Sequence, residues 1–254
     1  MKKSIKIIPI YLLILLIILI IIFIFSLTKV INWYKDSKIT KNNQNKILNK
    51  IKINEIKTDF KDNNTFIDVN LNDLKKINDD VVGWIEVNGT KINYPYVKTN
   101  DNTFYLNHSI DKSKNSAGWV FLDYRNDFNK YDKNNIIYAH ARIDKTMFGS
   151  LKDTLTKEWF NNTNEKIVKT STLTENSIWQ IFSVYKINNT TDYLKIDFKD
   201  DKEFLSFMNM LKMRSVFDFD IDISKNDKIL TLSTCFNKNV KTVMHAKLIK
   251  TYKK

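Results

Sequence analysis

The sequence predicts a mainly β domain, a closed or nearly closed barrel of about eight strands with peripheral helices, behind an N-terminal transmembrane helix and a helical leader. Three observations carry that prediction. An uncharged stretch of 22 residues, Ile7 to Thr28, is built almost wholly of Ile, Leu and Phe. A polar Lys/Asn-rich segment follows to about Asn70. From Val81 onward the chain switches to short alternating apolar runs bounded by turn residues, with helical periodicity in only two places.

The first stretch reads as a membrane span, since 22 residues at about 1.5 Å each cover roughly 33 Å against a hydrocarbon core of about 30 Å. Bulky residues continue to Phe25, and the following Lys29-Val-Ile-Asn-Trp-Tyr-Lys35 offers no small-residue cleavage site, so an uncleaved anchor is expected rather than a signal peptide. Lys2, Lys3 and Lys6 favour a cytoplasmic N-terminus with the rest of the chain outside the cell; Lys29 and Lys35 on the far side reduce the contrast. Ile47, Ile51, Ile53 and Ile56 partly suit a helix, which gives residues 29–70 as a helical stalk between the tip and anchor at 1–28 and one domain at 71–254.

Strands are expected at Val81 to Val87, Ile92 to Val97, Trp119 to Leu122, Ile136 to Ala139, Lys166 to Thr172, Ile178 to Ile187, Lys228 to Thr234 and Thr242 to Thr251. Asn88-Gly89 separates the first two. Helices are expected near Thr146 to Leu155 and over Asp201 to Met213, where Phe204, Phe207, Met208 and Leu211 recur at i, i+3, i+4 and i+7. No internal repeat interrupts this order.

The net charge of +13 is spread as Lys interleaved with Asn and Asp, without an Arg-rich stripe, which argues against nucleic acid as a partner and fits attraction to an anionic cell surface. Three scattered His and one Cys make no zinc spacing, and no Gly-rich phosphate loop appears, so no metal or nucleotide cofactor is expected.

Chemistry concentrates on the single cysteine. Cys235 ends the apolar run Lys228-Ile-Leu-Thr-Leu-Ser-Thr-Cys235, and a similar run upstream, Asn135-Ile-Ile-Tyr-Ala-His140, ends in a histidine. A lone cysteine is an inert buried thiol, a dimer link or a nucleophile under the control of a neighbouring base. A thiol with a reference pKa of about 8.5 is only a few per cent ionised at neutral pH, so a nucleophile here needs an imidazole, and His140 is the candidate. His precedes Cys in the chain, the reverse of the papain-like order.

Thr231-Leu-Ser-Thr-Cys235 with Tyr138-Ala-His140 upstream resembles class B of the sortase family. Val82-Gly-Trp-Ile-Glu-Val-Asn-Gly-Thr-Lys-Ile-Asn-Tyr-Pro95, Asn102-Thr-Phe-Tyr-Leu106, Ala117-Gly-Trp-Val-Phe-Leu-Asp-Tyr-Arg-Asn126 and Met147-Phe148 agree with that class in order and spacing, from roughly Leu71 to the C-terminus. The resemblance implies a sortase-like eight-stranded β-barrel and a membrane-anchored cysteine transpeptidase. Its partners would be secreted proteins bearing a C-terminal sorting signal and a cell-wall peptidoglycan amine. Cys235 would form a thioester acyl-enzyme, and His140 would protonate the leaving amine. Within the same chemistry a peptidase or a pilin polymerase stays open, and in a different class so does a binding protein on an inactive or impaired sortase scaffold.

The family places an arginine on the strand after the cysteine strand to steady the oxyanion; aligning on Val243-Met-His-Ala-Lys247 puts Lys241 there instead. Lysine lacks the planar fork, so either Lys241 serves with less precision, or another arginine reaches in, or the enzyme is impaired. Arg142 is the nearest arginine in sequence to His140, while Arg125 and Arg214 have no local argument in their favour. His245 shares a strand face with Lys241 and Val243, yet it and His108 read as structural. The resemblance also carries Asn102, Leu106, Tyr138 and Ser233 over as lining of the substrate groove, with Tyr193 and Leu194 in the loop that covers it.

Overall fold

The computed structural model describes residues 9–57, 65–127, 130–163, 166–188, 190–235 and 240–254, Cys235 by its backbone. Lys2, Lys3 and Lys6 lie outside the described residues. One helix, α1 (Ile10–Lys50), runs without a break from the apolar stretch into the polar segment. Its large apolar side chains from Ile10 to Val30 are all exposed, and it is the one described helix long and apolar enough to cross a membrane. The polar segment is helical only as far as Lys50; beyond it β1 (Ile53–Ile56) pairs antiparallel with β2 (Phe66–Val69). Ile53 and Ile56 mimic helical spacing but sit in a four-residue strand, whose exposed Asn54 and Glu55 conceal the alternation.

After a short helix α2 (Leu71–Lys75), eight strands follow: β3 (Val81–Val87), β4 (Asn93–Val97), β5 (Phe121–Leu122), β6 (Asn134–His140), β7 (Ile167–Thr172), β8 (Glu175–Asn188), β9 (Ile229–Cys235) and β10 (Val240–Lys253). They close into a barrel in the order β10-β8-β7-β3-β4-β5-β6-β9, so every strand edge is paired. Two parallel contacts, β4 with β5 and β6 with β9, interrupt an otherwise antiparallel ladder. The helix expected at 146–155 is a 3-10 turn at Leu151–Leu155 followed by α3 (Lys157–Asn162), because Lys145 and Met147 take positive φ and stop an earlier start.

Alternation along the strands builds two cores. Leu230, Leu232, Met244 and Ala246 join the cluster with Trp84, Trp119 and Trp179. Ile229 and Val243 point the other way, into a second cluster with Phe182 and Tyr185 that α4 (Asp201–Met213) covers with Phe204, Phe207, Met208 and Leu211. Asp200 caps α4 by accepting from the Glu203 N–H at 2.8 Å.

Beneath α4, His245 is fully buried in a complete hydrogen-bond relay. The Thr231 hydroxyl donates to Asn134 Oδ1 (2.6 Å), so His245 Nδ1–H donates to Thr231 Oγ1 (2.9 Å) and Nε2 accepts from the Tyr185 hydroxyl (2.9 Å). A neutral ring satisfies that relay at both nitrogens. Burial, with the nearby Arg214 charge, lowers its pKa to about 3. A folded pKa below the unfolded one means that this group's stabilisation is complete above about pH 6.5 and is lost as pH falls towards 3, with a slope of at most about 1.4 kcal/mol per pH unit. Denaturant unfolding in detergent should therefore show stability declining from pH 6.5 to 4.5 in the wild type, and a shallower decline in His245→Gln. An equal slope in the two proteins would reject the assignment.

Candidate active site

The site forms where three neighbouring strands end or begin. β6 and β9 run parallel with His140 opposite Cys235, Tyr138 opposite Ser233 and Ile136 opposite Thr231. β10 runs antiparallel to β9 with Val243 opposite Ser233, and that register carried two positions further sets Lys241 opposite Cys235. The Thr242 N–H donates to Thr234 Oγ1 at 2.9 Å, which holds the two strands together at this step. His140 and Cys235 thus sit side by side on adjacent strands, about 4.8 Å apart at the backbone, and Lys241 falls in the same row by extension of the β9–β10 register. Ile229 and Val243, on the same two strands, face the second cluster beneath α4.

His140 is half-buried and tied at one nitrogen, Nε2, which lies 2.7 Å from the Leu106 carbonyl oxygen. A carbonyl only accepts, so Nε2 carries hydrogen and Nδ1 is the nitrogen left to exchange a proton. Gly118 permits this approach. It sits at φ +61°, and a Cβ there would meet the Tyr105 carbonyl at 2.4 Å and His140 Cδ2 at 3.1 Å. The positioning role of the Leu106 carbonyl was not visible in the sequence, because any residue supplies a carbonyl and the two positions are 34 residues apart.

The four groove candidates are distributed around the row. Leu106 is half-buried beside His140. Ser233 is buried, its hydroxyl 2.9 Å from the Tyr193 hydroxyl, so Tyr193 covers it. Tyr138 is also buried and donates to Asp123 Oδ2 at 2.9 Å. Asn102 accepts from the Tyr124 N–H at 3.0 Å, one residue beyond Asp123, which joins it to the Tyr138 side of the site.

The structure also shows the surroundings of each arginine and of Lys241, and leaves Arg142 Nε and Nη2 without a hydrogen-bond partner among the described residues. Arg125 forks onto Asp123 at 2.9 and 2.7 Å and donates to the Leu194 carbonyl at 3.2 Å. Burial alone would raise the Asp123 carboxyl, but Arg125 and Tyr138 hold it below the usual carboxylate range. Arg214 forks onto Asp192 at 2.9 and 2.6 Å. Arg142 is buried against α1, 5.2 Å from the Trp33 ring and 3.6 Å from Asp144. Lys241 is half-buried with Nζ 5.7 Å from the Tyr193 ring, close to Ser233. Of these cations only Lys241 is in the row. His108 stacks on Phe104 at 4.0 Å and bonds the Phe104 carbonyl, a local packing arrangement.

Comparison with known proteins agrees with this architecture. A family model for the sortase domain matches residues 85–249. Sortase B of Staphylococcus aureus is 35% identical over 181 residues, 70% of this chain and 73% of that protein. Among solved structures, the Staphylococcus aureus sortase B-substrate complex superposes with a TM-score of 0.67 at 34% identity, covering 71% of this chain and 84% of that one. Sortase B from B. anthracis in complex with AAEK1 superposes with a TM-score of 0.72 at 34% identity, covering 87% and 99%. The chain therefore belongs to the sortase family, in its class B, and is a cysteine transpeptidase.

Proposed function

We propose that this transpeptidase is anchored in the membrane by α1, cleaves a C-terminal sorting signal of secreted proteins at Cys235, and passes the acyl group to a peptidoglycan amine. The assignment of residues is supported by the pairing of His140 with Cys235 across β6 and β9, and by the β9–β10 register, which extended two positions beyond Val243 and Ser233 brings Lys241 to the same row. In this mechanism the Cys235 thiolate attacks the scissile carbonyl, and the oxyanion forms beside the Lys241 ammonium. Collapse breaks the C–N bond, leaving a thioester, and the proton held at His140 Nδ1 goes to the departing amine. The acceptor amine then attacks the thioester, returns a proton to His140, and leaves a new amide and the free thiolate. His140 stays oriented throughout by its Nε2–H bond to Leu106.

Asn102, Leu106, Tyr138 and Ser233 are proposed as groove residues. Leu106 would supply an apolar wall, and Asn102 a polar contact to an extended peptide. Tyr138 and Ser233 would act through their partners Asp123 and Tyr193, which shape the groove floor. An N-terminus in the cytoplasm and a barrel outside the cell follow from the lysines of the sequence's first six residues.

The test uses the full chain in detergent with a quenched library of sorting-type peptides, with and without a small amine. Cleavage accompanied by a product carrying the amine, read by mass, is the expected result. Cleavage that yields only the carboxylic acid at saturating amine would favour a peptidase. Absence of cleavage across the library would favour a binding protein on this scaffold.

A further inference from the structure

We propose that the loop following β6, residues 141–145, rests on the bilayer surface with Ile143 as an apolar tip entering the headgroup region of an anionic membrane. This rests on the reading of α1 as the anchor. Because α1 has no break between Ile10 and Lys50, distance along it is height above the membrane. The apolar stretch ends at Thr28, and Trp33 lies five residues on, about 7.5 Å along the axis. Each polar interfacial layer is about 5–7.5 Å thick, so the Trp33 backbone stands at its outer edge, and because helical side chains lean towards the helix N-terminus its ring reaches back into the headgroup level, where aromatic rings are favoured.

The loop meets α1 at that height and over the two turns above it. Arg142 lies over the Trp33 ring at 5.2 Å, and Asp144 is bonded by Ser37 and lies 3.9 Å from Lys41, so the loop is fastened on both sides of Ile143. Ile143 itself is 83% exposed, more than any other described Ile, Leu or Val. A single exposed apolar side chain is common on protein surfaces; this one stands beside the Trp33 level of the anchoring helix, where an interface can take it in. Exposed Lys29, Lys35 and Lys38 add positive charge along the same stretch of α1, which selects anionic lipid. His140 precedes Arg142 by two residues, so the contact fixes the site close to the membrane surface.

The same helix holds the barrel at further points. Its contacts recur on one face: Trp33, then Asp36 to the Ser116 N–H at 3.1 Å, Thr40 to Asn115 at 3.2 Å, Asn43 to Ser109 at 3.0 Å, and Gln44 to the Tyr94 hydroxyl at 2.9 Å. The barrel is thereby clamped to α1, and its tilt on the bilayer is set.

The full chain in a Cys235→Ala background, so that one thiol is labelled at a time, is placed in phosphatidylglycerol/phosphatidylcholine vesicles containing a lipid quencher at the level of the upper acyl chain. A polarity-sensitive fluorophore is attached in turn to Ile143→Cys, to Asn226→Cys at the opposite end of β9, and to Ile20→Cys inside the apolar stretch. The Ile143 probe is expected to be quenched several-fold more than the Asn226 probe, and to lose quenching in vesicles without phosphatidylglycerol at high salt less than completely. Quenching at Ile20 with none at Ile143 overturns this proposal and spares the anchor. No quenching at Ile20 overturns the anchor and the proposal together. Equal quenching at Ile143 and Asn226 also overturns it, since the barrel would then lie on the lipid without a preferred face.

Discussion

Cys235→Ala is expected to lower peptide cleavage by at least about 10³-fold and to abolish the thioester intermediate, with the fold intact. An amide resists water because water is a poor nucleophile at neutral pH; the thiolate splits that one difficult displacement into two easier ones. Removing it leaves only binding and charge stabilisation. The substitution removes one sulfur at the end of a strand whose neighbours Ser233 and Thr234 keep their own hydrogen-bond partners, Tyr193 and the Thr242 N–H. Single-turnover cleavage and intact-protein mass after a substrate pulse give the readouts. The wild type should gain the mass of the acyl fragment, and Cys235→Ala should not. With Cys235 and His140 proposed to act as one unit, the double variant with His140→Ala should be no slower than the slower of the two single variants. Equal cleavage by Cys235→Ala and the wild type would reject the nucleophile, and additive losses would reject the pairing.

Strands with a clean apolar alternation were legible, and so was α4. Val81 to Val87 and Asp201 to Met213 were read at the boundaries later observed, because turn residues bracket the first and an Asp cap with an i, i+3, i+4, i+7 stripe defines the second. The ends of the long β8–β10 pair were not. The strand expected from Ile178 begins at Glu175, and the polar Glu175, Asn176 and Ser177 continue the ladder opposite Lys253, Tyr252 and Thr251, since backbone pairing extends past the apolar pattern. The polar face of α1 gave the opposite error. Asp36, Ser37, Thr40, Asn43 and Gln44 look like a solvated stalk, but each bonds the barrel, and Ile47 and Ile51 enter its main core. Composition does not separate a polar residue bonded to water from one bonded to another element. For the same reason the motif residues Cys235 and His140 stood out, while the Leu106 carbonyl and Gly118 that orient His140 did not.

Lys241→Ala is expected to lower kcat by about 10²–10³-fold with little change in KM, the size of effect seen when one oxyanion donor is removed. The negative oxygen exists only in the transition state, so a group that meets it there acts on the chemical step and leaves ground-state binding alone. Register puts Lys241 opposite Cys235, whereas Arg125 and Arg214 are each forked onto a carboxylate and Arg142 is packed under Trp33. Withdrawing Arg125 or Arg214 for catalysis would break a two-bond fork onto Asp123 or Asp192, whereas Arg142 stands 3.6 Å from Asp144 on the α1 side. Arg142→Ala should therefore leave kcat within a few-fold and lower stability instead, through lost packing on Trp33 and loss of the Asp144 partner. Lys241→Arg should match or exceed the wild type, because a planar fork can donate twice to the same oxygen region while a single ammonium on a four-carbon stem cannot hold that geometry. Parallel kcat and KM measurements on the three variants decide it. A larger loss in Arg142→Ala than in Lys241→Ala would mean that the oxyanion is met from the α1 side of the site, and the β10 register would then have no catalytic meaning.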